Sequence, residues 1–116
     1  MRMLIGALTF GCLAGCAAPS MDTARSAAPV KTFTSEKQDQ LVAQCIQFAW
    51  QDDVMFGVEA DAYLKPGTKG GFTVYTRSAE YFVDVQSAAS GTTINFFVAN
   101  GDALAERRLA SLATCL

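Results

Sequence analysis

The spacing of hydrophobic positions changes several times along this chain, and each change marks an element. Residues 3–15, MLIGALTFGCLAG, are an unbroken apolar run behind the cation of Arg2, and residues 17–34 show no sustained apolar period. From Ser35 the spacing becomes three and four. Leu41, Val42, Cys45, Phe48 and Ala49 form one stripe, with Gln40, Gln44, Gln47 and Gln51 outside it. This predicts an amphipathic helix from Ser35 to about Gln51, opened by the capping-box spacing of Ser35 and Gln38.

Period two follows. Val54, Phe56, Val58, Ala60, Ala62 and Leu64 share one face, and Met55, Gly57, Glu59, Asp61 and Tyr63 share the other. The Lys65–Gly71 segment, KPGTKGG, is a turn. Phe72, Val74 and Thr76 then continue the apolar face, with Thr73, Tyr75 and Arg77 opposite. After Ser78-Ala79 a strand over 80–86 turns Tyr81, Val83 and Val85 inward. A second turn at 87–91 leads to Ile94, Phe96 and Val98 inward, with Thr93, Asn95 and Phe97 outward. Past Asn100-Gly101, with Asp102 as cap, Ala105, Leu109, Leu112 and Leu116 form a second helical stripe that leaves out Glu106 and Arg107. The pattern predicts an α+β domain over 35–116. It contains a helix, a four-stranded antiparallel meander and a C-terminal helix, with both helices on one face of the sheet.

The first run does not belong to that domain. Thirteen apolar residues make a helix of about 20 Å, short of a hydrocarbon core of about 30 Å, so the run reads as a signal-peptide core. Leu13-Ala14-Gly15-Cys16 follows it and resembles the lipobox of bacterial lipoproteins: Leu, a small residue, Gly or Ala, then Cys. The resemblance covers the first sixteen residues. It implies a signal peptide over 1–15, cleavage before Cys16, diacylglycerol on the Cys16 sulfur and usually a further acyl chain, such as palmitate, on the new amino group. Such chains contribute about 0.8 kcal/mol per buried methylene, and two or more give stable membrane attachment. No Asp follows Cys16, and by the enterobacterial sorting rule this favours the outer membrane, with the domain in the periplasm. Residues 16–34 then read as the lipidated cysteine and a flexible tether rich in Ala, Ser, Thr and Pro. The domain from residue 35 onward resembles no family of known function.

This placement assigns the cysteines. Cys12 leaves with the signal and Cys16 carries lipid, so Cys45 and Cys115 remain as a pair in an oxidising compartment. A bond between them joins the two predicted helices.

Charge and composition then narrow the function. Past Cys16, eight Lys and Arg stand against eleven Asp and Glu, a net charge of −3 with no basic cluster. Nucleic acid is not an expected partner. The chain has no histidine, which removes the commonest general base and the Ser-His and Cys-His nucleophile arrangements. A non-enzyme is expected, with no cofactor or metal beyond the covalent lipid. An enzyme built on Glu59, Asp61 or Asp84 is the weakest alternative. Asp52-Asp53 with Glu59 and Asp61 match no calcium-loop spacing, and the glycine-rich turn at 67–71 lacks the context of a phosphate cradle. Trp50, at the helix end, reads as a closure of the core rim.

The outward sheet face is the candidate interaction surface: Met55, Tyr63, Tyr75, Arg77, Phe82 and Phe97, interspersed with Glu59, Asp61, Glu80, Asp84 and Asn95. Large apolar side chains on a solvated face mark interfaces; cross-strand pairing that only stabilises the sheet is the other reading. The expected partner is an envelope protein or a second copy of the chain. The alternatives are an inhibitor of a periplasmic enzyme such as lysozyme, inserting the 65–71 turn, and an accessory lipoprotein of a secretion or conjugation machine.

Overall fold

The computed structural model describes residues 21–52, 61–99 and 104–116. Cys16 with its lipobox, Met55, most of the first predicted strand and the Asp102 cap lie outside the described residues. Within them the chain runs α1 (Met21–Arg25), β1 (Lys31–Ser35), α2 (Asp39–Asp52), β2 (Ala62–Pro66), β3 (Phe72–Thr76), β4 (Tyr81–Ala88), β5 (Gly91–Val98) and α3 (Ala105–Ala113), with a 3-10 turn at Arg77–Ala79.

The sheet is antiparallel, in the order β1-β5-β4-β3-β2. The last three predicted strands appear as β3 to β5; β2 holds only the end of the first and runs on through Lys65-Pro66, expected as turn, and the sheet has five strands among the described residues. The added strand, β1, comes from the segment read as the end of the tether. KTFTS alternates small β-branched residues with a single aromatic, too weak a period to stand out, yet Thr favours a pleated surface. β1 pairs with β5 so that Phe33 lies opposite Ile94 and Ser35 opposite Thr92. Gly91 permits this approach. Its φ of +138° suits glycine, and a Cβ there would collide with the Ser35 carbonyl oxygen.

On the inner face, alternate strand residues pack as foreseen: Ala62, Val74, Tyr81, Val83, Val85, Ile94 and Phe96 join one cluster with residues of α2 and α3. α2 differs from its predicted phase. The helix starts at Asp39, and the Ser35 hydroxyl accepts a hydrogen bond from the Lys37 N–H (3.2 Å) instead of forming the capping box. Its buried side carries Val42, Ala43, Ile46 and Trp50, while Leu41 and Phe48 are 56% and 61% exposed. Two stripes overlap in this segment, and the one holding Ile46 and Trp50 wins because it buries more apolar surface.

Cys45 sits at the margin of that side, where it forms the expected disulfide with Cys115, just past the end of α3 (Cα–Cα 5.6 Å). Closing a separation of 70 residues stabilises the fold by on the order of 4 kcal/mol in the chain-entropy account. The helices also exchange backbone-directed bonds. Trp50 Nε1 donates to the Arg108 carbonyl (3.0 Å), and Arg108 Nη1 donates to the Trp50 carbonyl (3.2 Å). The Arg108 guanidinium lies 5.5 Å from the Trp50 ring centre and 5.9 Å from that of Tyr81, whose hydroxyl accepts the Leu104 N–H. Arg108 is thus buried on the same side of α3 as Leu112.

α2 and α3 share the inner face, as expected. A third helix, α1, falls in the segment expected to be tether and sets Arg25 against the other face, so the arrangement of two helices on one side is incomplete. Among the described residues no helix is long and apolar enough to cross a membrane.

Candidate interaction surface

The strand register organises the outer face into two rows. Tyr63 pairs with Tyr75, Tyr75 with Phe82, and Phe82 with Phe97, so four aromatic rings cross β2 to β5 at one level. One step along, Lys65, Thr73, Asp84, Asn95 and Thr32 form a polar row across all five strands. Both rows follow from period-two patterning combined with a fixed register.

α1 divides this face into a covered and an open part. In the covered part Phe82 is fully buried and Phe97 is 6% exposed, their rings stacked at 4.8 Å. These two residues were expected to face solvent; the residues that cover them come from the segment read as a tether. Arg25 makes the decisive contact. Its guanidinium lies 5.0 Å from the Phe82 ring centre and donates from Nε and Nη2 to the two carboxylate oxygens of Asp84, each at 2.7 Å. Nη2 also reaches the Thr73 hydroxyl oxygen (3.2 Å), and that hydroxyl donates to Asp84 Oδ1 (2.8 Å). Arginine is suited to this place because its planar fork meets a carboxylate with two bonds while its face stacks on a ring. The hydrogen bonds that Arg25 donates to Asp84 raise its pKa above the ordinary value, outweighing the desolvation that lowers it, with Coulomb attraction from Asp84 and Asp22 adding to the rise. A cleft of about 200 Å³ opens beside Arg25, between the Gly67–Gly70 turn and Asp84, Gln86 and Asn95.

In the open part, Tyr63 is 43% exposed and its ring lies 5.4 Å from that of half-buried Tyr75. Lys65 Nζ sits 5.2 Å from the Tyr75 ring centre, and exposed Arg77 forms an ion pair with Asp61. Glu80 is exposed nearby.

No known family, curated protein or solved structure matches the chain. The surface therefore has to be read from its own chemistry. It offers stacked rings, a guanidinium–carboxylate fork and a lysine over a tyrosine, which are the elements of recognition between side chains.

Of the predicted surface residues, the structure groups Tyr63, Tyr75 and Arg77 in the open part and places Phe82 and Phe97 beneath α1. Met55 lies outside the described residues, as do Asp53 and Glu59. Arg25 escaped the sequence reading, and Thr73 was placed on the outer face but not among the candidate surface residues. The available signal was the Asp22–Arg25 spacing of three, which closes as an ion pair of 3.5 Å and marks a turn of helix.

Proposed function

We propose that this chain is a small lipid-anchored protein of the bacterial cell envelope that acts without catalysis. It binds a protein partner, or a second copy of itself, through the open part of its outer sheet face. In this reading Cys16 carries the lipid, the membrane is the outer one, and the domain faces the periplasm. The lipobox residues support the anchor. The observation that carries the binding role is the ring contact of exposed Tyr63 with half-buried Tyr75 at the edge of the sheet, flanked by Lys65 and Arg77. Tyrosine and arginine combine large contact area with polar tips and are enriched in interfaces. β2 is also the terminal strand of the sheet's described order, so a partner strand can extend it.

The spacing between anchor and fold narrows the choice of partner. Cys16 precedes Met21, the first residue of α1, by five positions, a reach of at most about 18 Å. An outer face with α1 seated on it stays close to the bilayer, which favours a partner on the same membrane.

The test is the double substitution Tyr63→Ala with Tyr75→Ala in the lipidated protein. Co-purification of partners from native membranes, or the self-associated form in sedimentation, is expected to disappear while the Cys45–Cys115 bond still forms. Unchanged association would remove the proposal. A second reading has one observation in its favour: Thr68, Lys69 and Gly70 project exposed at the tip of the β2–β3 hairpin. An inhibitor of lysozyme inserts such a tip into the enzyme's cleft, and a lysozyme assay with the protein separates the two.

A further inference from the structure

α1 is an unusual cover. It has five residues, none of them fully buried; Met21, Ala24 and Arg25 are half-buried, and Arg25 hydrogen-bonds from it to the sheet. What lies beneath is a complete receptor for a guanidinium. The Phe82 ring supplies the stacking face, backed by Phe97, while Asp84 supplies two acceptors in one plane and Thr73 a third. Thr73 is buried, and its hydroxyl also fixes the Asp84 carboxylate, so the receptor belongs to β3 and β4 and does not depend on α1 for its shape. The group over the Phe82 ring is a cation matched to a carboxylate.

We infer that Phe82, Asp84 and Thr73 form an arginine-binding slot for a segment of a partner protein, and that α1 occupies it as a built-in competitor. The proposal goes beyond the open Tyr63–Tyr75 surface, since it concerns the covered part of the face. The occupant is an arginine-bearing peptide segment, because the slot's charge, planarity and aromatic wall are those Arg25 satisfies. Lysine, with one compact charge and no planar fork, makes neither the two-point bond nor the stack. Competition follows from linkage in the chain. Residues 26–30 join α1 to β1, which holds α1 near the slot at a local concentration on the order of millimolar, so an outside arginine must outbind it or arrive when it is displaced. Once α1 leaves, the Phe82–Phe97 pair joins the Tyr63–Tyr75 pair as one aromatic strip across four strands.

The experiment uses the full chain, its Arg25→Ala variant and the synthetic peptide MDTARSA, which repeats residues 21–27, with binding followed by NMR at the Thr73 and Phe82 signals. Arg25→Ala is expected to bind the peptide at least ~10-fold more tightly than the intact chain, because the internal competitor has lost its anchor. Adding Asp84→Asn to Arg25→Ala should abolish binding, and a peptide with lysine in place of arginine should bind at least ~10-fold more weakly. Equal binding by the intact chain and Arg25→Ala, or equal binding of the two peptides, would overturn the proposal. A second measurement needs no variant. Excess peptide added to the intact chain should speed solvent exchange of the Arg25 Nε–H several-fold, and unchanged exchange at saturation counts against the slot.

Discussion

Two arginines show how far a residue's role depends on information that lies outside its own neighbourhood. Arg107 and Arg108 are adjacent in sequence, yet Arg108 is buried against the Trp50 and Tyr81 rings. The helical phase of α3 distinguishes them: Arg108 falls three residues after Ala105 on the stripe of Ala105, Leu109 and Leu112, but an arginine does not count as an apolar position in such a reading. Arg25 was harder still to place, because its partner Asp84 lies 59 positions away. Its pH behaviour follows from the sign of its shift. A cation whose folded pKa is raised stabilises the fold fully below its unfolded pKa, and the contribution is lost only as pH climbs through the folded value. For arginine both values lie above ordinary working conditions. Trypsin cleavage after Arg25, normalised to a free arginyl peptide, should therefore stay equally slow from about pH 7 to about pH 10. In Arg25→Lys the same bond, normalised to a lysyl peptide, should be cleaved faster as pH nears about 10.4, where lysine loses its charge. A rise in the native chain over that range would show that Arg25 is not what holds α1.

At the scale of elements, the period-two strands were the most legible part. Their alternation named the inner face from Ala62 to Phe96, and the cysteine pair named the contact between α2 and α3. What the sequence left open was phase and cover. In α2 the apolar residues occupy two overlapping stripes, and periodicity alone does not decide between Leu41-Phe48 and Ile46-Trp50. β1 and α1 are too short for a period, so they read as tether, and without them Phe82 and Phe97 looked solvent-facing. The α2 phase has a direct test in chemical denaturation. Ile46→Ala should cost about 2–5 kcal/mol because it empties a fully buried site. Phe48→Ser, at a residue 61% exposed, should stay within about 0.5 kcal/mol. Comparable losses would place the core on the other stripe.

For the whole molecule, the proposed lipid at Cys16 makes the position of α1 a link between the sheet face and its distance from the proposed membrane. With α1 seated, the span from the proposed lipid at Cys16 to the fold is five residues, at most about 18 Å. With α1 released, the fold begins at Lys31, and fifteen residues reach at most about 54 Å. Under the proposed anchor and the proposed slot, uncovering the slot and lifting the domain from the bilayer are one event, because the same ten residues supply both cover and slack. The chain's single tryptophan, buried at Trp50, is a fixed donor for measuring this height by energy transfer to acceptor-labelled headgroups. In vesicles carrying the lipidated protein, Asp84→Asn should lower transfer from Trp50, since it removes the carboxylate that holds Arg25. An arginine-bearing peptide added to the native chain should lower it in the same way, reversibly on dilution. Transfer that is the same in both proteins and indifferent to peptide would mean that the outer face is not coupled to the anchor, whatever else binds there.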